Sequence, residues 1–214
     1  SRFRPFRPGE VGKVYIVHPS YAGVPPLAYV LSRTLPHLWC MPMKGSLMKF
    51  PIGWAMAAIR MGIPIHRGSP AQSIRAIAAA AQRGYTIAIA PEGTRPTERA
   101  IEDTRAFIAR NGWSELYGDW RNTSGPRPAG ALEIERAMPR ARRILLLSTS
   151  SISEGGMAGL LRMIVERGQI VFEVRDWEGA WPTTEEDLQH ILLEAWAQIV
   201  HPWVDQARSF HGSK

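Results

Sequence analysis

"RGSPAQSIRAIAAAAQRGYTIAIAPEGTRP", residues 67–96, decides the fold class. Ser69 is a suitable N-cap, and Pro70 fits the first helical position, where its missing amide donor is not needed. Ile74, Ile77, Ala78 and Ala81 recur on one face at helical spacing, and Gly84 suits the turn that ends a helix. "YTIAIA" follows as a short apolar strand, so a helix leads straight into a buried strand. That unit repeated along a chain gives an α/β architecture with a substantially parallel sheet.

Working outward, "KVYIVHP" (13–19) reads as a buried strand and "VPPLAYVLSRTL" (24–35) as a helix. "MGIPIHRGS" (61–69) carries a short apolar strand before Arg67. Downstream, "TERAIEDTRAFIAR" (97–110) and "AGALEIERAM" (129–138) read as helices, and "RRILLLSTS" (142–150) and "QIVFEVRD" (169–176) as strands. "TTEEDLQHILLEAWAQIV" (183–200) reads as a capped amphipathic helix. The expected fold is α/β: a mixed, largely parallel sheet flanked by helices, in one domain spanning 1–214. Residues 97–127, with Trp113, Tyr117 and Trp120 in a loop rich in Gly, Asn, Ser and Pro, are expected to be an insertion or a lid.

Composition narrows the function classes. Charged residues at 21% and hydrophobic residues at 45% place the chain among globular proteins rather than disordered ones. A net charge of +7 favours an anionic partner: a nucleic acid, an anionic bilayer, a phosphorylated substrate or an acidic carrier protein. Arg2, Arg4, Arg7 and Lys13 form one basic cluster, and Arg136, Arg140, Arg142 and Arg143 a second; either also fits an ordinary solvated surface. No recognised nucleic-acid module or stacking pattern accompanies the charge, so nucleic acid is not the expected partner. Cys40 is the only cysteine, which excludes an internal disulfide and a cysteine-based zinc site; in "LWCMPM" it reads as a small core residue. No apolar run approaches the roughly 18 residues needed to cross a bilayer, and no signal peptide is visible. The expected location is the cytoplasm, with peripheral contact at the inner face of the membrane left open.

Three loops at strand ends carry the candidate chemistry. The first holds His18; the second holds Arg67; the third, "APEGTRP", holds Glu92, Gly93, Thr94 and Arg95. Gly93 lets backbone approach a ligand closely, and two arginines suit bidentate contacts with phosphate. A histidine acting as general base needs an orienting partner, commonly a carboxylate. No acidic residue lies between Glu10 and Glu92. His37 and His66 read as structural, and His190, His201 and His211 lack metal-ligand spacing, so no metal site is expected. "NTS" at 122–124 matches a glycosylation acceptor, without any sign of secretion.

Taken in order, His18, "MKGSL" with Lys44, the "FPIGW" step, "GIPIHR" with Arg67 and "PEGTR" resemble the motifs of the glycerolipid acyltransferase family, the 1-acylglycerol-3-phosphate acyltransferases and their relatives. The likeness covers roughly residues 14–96 and resumes more weakly at "AGALEIERAM" and "ILLLS". It implies transfer of an acyl group from a thioester, acyl-CoA or acyl carrier protein, to an acceptor hydroxyl, with no metal or redox cofactor. His18 would be the general base; Arg67 and the Glu92–Arg95 block would bind the acceptor phosphate or order the site, and Lys44 would add positive charge.

One departure stands at the centre of the motif. The family places an Asp five positions after the His, and here that position is Gly23. Neutralising the orienting carboxylate of a serine-protease triad costs ~10⁴ in turnover, or roughly 5 kcal/mol of barrier. By the same logic the activity is expected to be weakened or lost, unless a backbone carbonyl, a water or a distant carboxylate orients His18. The rival expectation is a non-catalytic acyl-chain or acyl-carrier-binding module on the same fold. The basic clusters would suit an acidic acyl carrier protein, and the aromatic loop at 113–120 would cover an acyl chain, shape the acceptor pocket or simply pack.

Overall fold

In a computed structural model, the described residues are 3–7, 9–17, 30–35, 38–49, 51–65, 70–93, 97–150, 161–162, 165–166, 169–178, 182 and 184–212. Six strands form one sheet: β1 (Gly12–Val17), β2 (Trp39–Lys44), β3 (Gly62–Ile65), β4 (Thr86–Ile89), β5 (Arg142–Ser150) and β6 (Ile170–Asp176). Their spatial order is β3-β2-β4-β1-β5-β6. Every pairing is parallel except β5 with β6, which is antiparallel. The expected α/β fold with a mixed, largely parallel sheet flanked by helices is therefore the observed one.

The helices are α1 (Pro51–Ala58), α2 (Pro70–Gln82), α3 (Glu98–Arg110), the short α4 (Ser114–Tyr117), α5 (Pro128–Ala137), α6 (Glu185–Ala195) and α7 (His201–Gly212). A 3₁₀ turn, Gly45–Lys49, precedes α1, and a π-helical turn, Trp196–Val200, joins α6 to α7. A further helical stretch lies at residues 30–34. Strand β2 and helix α1 had no counterpart in the sequence reading; "WCMPMK" and "PIGWAMAA" carry neither alternation nor a polar face.

Alternation along the central strands explains why both sheet faces are covered. Val14 and Ile16 of β1, with Ile144 and Leu146 of β5, face a core shared with Leu31, Leu35 and Trp39. Tyr15, Val17, Leu145 and Leu147 face the opposite way, into a core built with Trp120, Leu192, Trp196 and Trp203. Strands buried on both faces read as continuous hydrophobic runs, as β1 and β5 do. Cys40 lies in a third cluster with Ile77, Ile87 and Ile134, and burial pushes its thiol up to about 12, so it packs as a small core residue.

Residues 97–127 pack into this structure. Thr97 caps α3, its hydroxyl accepting from the Ala100 amide at 3.2 Å. Trp120 is 1% exposed, donates through Nε1 to the Thr123 carbonyl at 2.9 Å, and meets His201 edge-on. Tyr117 is also buried and bonds to His190 Nδ1, while Trp113 packs against Phe107, Tyr117 and His190. The aromatic side chains thus tie the segment to α6 and α7.

Of the two basic clusters, Lys13 and Arg143 are buried, Arg142 is partly buried, and Arg4, Arg7, Arg136 and Arg140 stay exposed. Lys13 is fully buried and donates to Glu135 Oε2 at 2.7 Å and to the Met138 carbonyl at 2.9 Å. Arg143, also buried, donates to both oxygens of Glu135, and the Tyr15 hydroxyl bonds the same carboxylate. Arg142 pairs with Asp176, Arg4 with Glu10, and Arg136 with Glu133.

Candidate active site at the carboxyl edge of the sheet

The site begins with topology. Strands β3, β2, β4 and β1 are consecutive neighbours and all parallel, so their carboxyl ends share one edge. β1 ends at Val17, one residue before His18 in the sequence; β2 ends at Lys44; β3 ends at Ile65, two before Arg67; β4 ends at Ile89, three before Glu92. Open parallel sheets place ligands at this edge, where the loops diverge. His18, Gly23, Arg67, Thr94 and Arg95 themselves lie outside the described residues, as does Ser69. Lys44 is described as the last backbone position of β2.

The turn after β4 supplies the best-defined geometry. Gly93 N donates to the Ala90 carbonyl at 3.1 Å, closing a turn in which Pro91 occupies the second position, where its fixed φ is favourable. Gly93 has φ +61, a left-handed conformation that favours glycine. Space is not the constraint, since an added Cβ would meet only Arg127 Cδ and Pro91 O, both at 3.9 Å. The turn aims Glu92 inward, where it is 1% exposed, and Trp196 Nε1 donates to its Oε1 at 3.0 Å. A carboxylate at that depth needs such donors, because an uncompensated buried charge is costly.

Two more elements brace the edge. Arg127 N donates to the Pro91 carbonyl at 2.9 Å, joining the loop before α5 to the turn. On β1, the Ser148 hydroxyl donates to the Val17 carbonyl at 2.9 Å, fixing the last position before His18. Beside the turn lies an open cleft of about 300 Å³ between α3 and α6, lined by Thr104, Phe107, Gly125, Arg127, Gln189 and Leu193. Trp196 and Arg127 were absent from the sequence reading. Trp196 lay in a helix read as a plain amphipathic segment and Arg127 in a proline-rich loop, and neither carries a local motif.

No group of His, Cys, Asp and Glu suited to a metal ion occurs among the described residues. Nor, among them, is any helix long and apolar enough to cross a membrane. Comparison of the chain with protein-family profiles, with curated proteins and with solved structures finds no match.

Proposed function

We propose that this chain is an acyltransferase that moves an acyl group from a thioester, acyl-CoA or acyl carrier protein, to an acceptor hydroxyl, and that Gly23 weakens or silences it. The observation that supports this reading is the parallel order β3-β2-β4-β1. Four motif segments far apart in sequence each follow, or end, one of these four strands, whose carboxyl ends share one edge.

In this reading His18 takes the proton of the acceptor hydroxyl as its oxygen attacks the thioester carbonyl. The C–O bond forms, the C–S bond breaks, and the imidazolium returns its proton to the departing thiolate. Arg67 and Arg95 hold the anionic part of the acceptor or donor, with Lys44 adding positive potential. Glu92 acts within the protein: buried and bonded to Trp196, it anchors the turn that ends at Gly93, which Thr94 and Arg95 follow in the sequence. The histidine becomes positively charged during the reaction, and without an Asp at position 23 that charge needs another partner.

The specific observation favouring a second reading is Gly23 itself, which suits a module that binds acyl chains or acyl carriers without turnover. One experiment separates the two. Acyl-CoA and acyl-carrier thioesters are offered with glycerol-phosphate, lysophospholipid and soluble alcohol acceptors to this chain, to Gly23→Asp and to His18→Ala. The expected result is weak or absent turnover in this chain, a rise of two or more orders of magnitude in Gly23→Asp, within the ~10⁴ range of such a carboxylate, and none in His18→Ala. Silence of all three with retained acyl-thioester binding would overturn the enzyme reading in favour of the module.

A further inference from the structure

We infer that helix α1 with its flanking cations is a docking surface for an anionic lipid bilayer. Its sequence, "PIGWAMAA", contains no polar side chain, and a helix that is apolar all round is ordinarily buried on every side. This one is not. Trp54 is 66% exposed and Ile59, just beyond the helix, 63% exposed; Pro51, Ala55 and Ala58 are exposed as well. Elsewhere among the described residues Trp39, Trp120, Trp177, Trp196 and Trp203 are buried and Trp113 is half-buried, so an indole standing in solvent is a departure from this chain's own pattern.

Charge identifies the occupant. Lys49 precedes the helix and Arg60 follows it, both exposed. Arg60 takes a left-handed φ of 60, a conformation glycine adopts more readily, so the turn ending the helix carries a cation where a neutral glycine would be easier. From Val11 to Pro91 the sequence holds eight lysines and arginines (Lys13, Arg33, Lys44, Lys49, Arg60, Arg67, Arg75 and Arg83) and no Asp or Glu. Of these, Lys13 is spent on Glu135 in the interior, and Arg33 and Arg75 also engage other groups. An indole and an isoleucine flanked by cations, on a segment without carboxylates, match the interfacial zone of an anionic membrane, where apolar burial and attraction to lipid headgroups add. A second copy of the chain would set Lys49 and Arg60 against like charges. A groove-binding partner helix is equally ill-suited, since the exposed face is a helix rather than a groove.

Placement fits as well. β2 ends at Lys44, α1 intervenes, and β3 starts at Gly62 parallel to β2, so α1 returns the chain from the carboxyl edge along the outermost strand. A membrane at this face lies beside the edge that carries the candidate site. The inference itself does not need turnover, and its test reads binding alone.

The test is co-sedimentation with vesicles of phosphatidylcholine and with vesicles of phosphatidylcholine mixed with phosphatidylglycerol, at low and high salt. The unaltered chain is expected to bind the anionic vesicles and not the neutral ones, with binding weakened by salt. A Trp54→Ser, Ile59→Ser double variant is expected to lose at least about tenfold in partitioning, and Lys49→Glu with Arg60→Glu to do the same. All four side chains are exposed, so thermal unfolding is expected to stay unchanged; should the first variant fail to fold, the charge pair decides. Binding undiminished in both variants, or no binding by the unaltered chain, would overturn the inference. So would a concentration-dependent dimer that the Trp54→Ser, Ile59→Ser variant dissolves, because the occupant would then be a second copy. Failed vesicle binding alongside turnover on soluble acceptors would leave the acyl-transfer reading standing.

Discussion

Glu135 is the residue on which most buried charge converges. It lies 4% exposed and receives Lys13, Tyr15 and Arg143 on its two oxygens, while Arg143 also packs over Trp177. Burial lowers the Lys13 ammonium to about 8 against the raising effect of Glu135, and burial next to that carboxylate holds the Tyr15 hydroxyl well above its ordinary value. Glu135→Gln leaves two buried cations facing a neutral amide, which is expected to cost about 3–5 kcal/mol. Urea unfolding at neutral pH measures it, and a loss below about 1 kcal/mol would contradict the arrangement. This pairing was invisible in the sequence. Lys13 and Arg143 read as members of two surface clusters because their common partner is 122 positions from one and 8 from the other, and no local pattern records a helix carboxylate reaching two neighbouring strands.

At the scale of elements, the legible ones had strong local punctuation. Thr97 and Thr184 announce the starts of α3 and α6, and Thr184 forms a full capping box with Asp187. Gly84, at φ +80, ends the unit that begins with α2. The helical pattern legible in the sequence ends at Val200, whereas the chain passes through the π turn and runs on as α7. A π turn inserts an extra residue per turn and shifts the face of everything after it, so a 3.6-residue pattern loses phase there. The same turn begins at Trp196, whose indole holds Glu92. Trp196→Phe keeps most of the ring and removes the donor, and the expected loss is about 1–3 kcal/mol from the carboxylate left short of a partner. Urea unfolding checks it; a fully stable variant would show that Glu92 is held by other means.

For the whole molecule, acid sensitivity follows from two groups with different windows. His201 is 4% exposed, and burial, assisted by nearby Arg121, lowers it to about 4. The unfolded chain takes up that proton below its ordinary value near 6.5, while the folded chain resists until about 4. Stability is therefore expected to fall as pH drops from about 6.5 to 4, by up to about 3 kcal/mol. Glu10, held down to about 2 chiefly by its bond to Arg4, adds a second loss as pH falls from 4.5 toward 2. Urea midpoints measured from pH 7 to pH 4 check the first window, and His201→Phe is expected to flatten it. At this scale the sequence foretold the α/β class, because it rests on strand and helix punctuation repeated in order. It did not foretell the strand order, since pairing between β4 and β1, or β1 and β5, is set by residues with no local relation.

That strand order also governs how the protein is made. β1 leaves the ribosome first yet sits between β4 and β5, whose residues follow much later in the chain. Until Arg142–Ser150 has emerged, the edge of β1 that pairs with β5 stays open to other strands. Such non-local closure is slow. A translation pause after residue 150 would give the central sheet time to assemble, whereas release or crowding before that point would leave the nascent chain exposed to aggregation and dependent on chaperones.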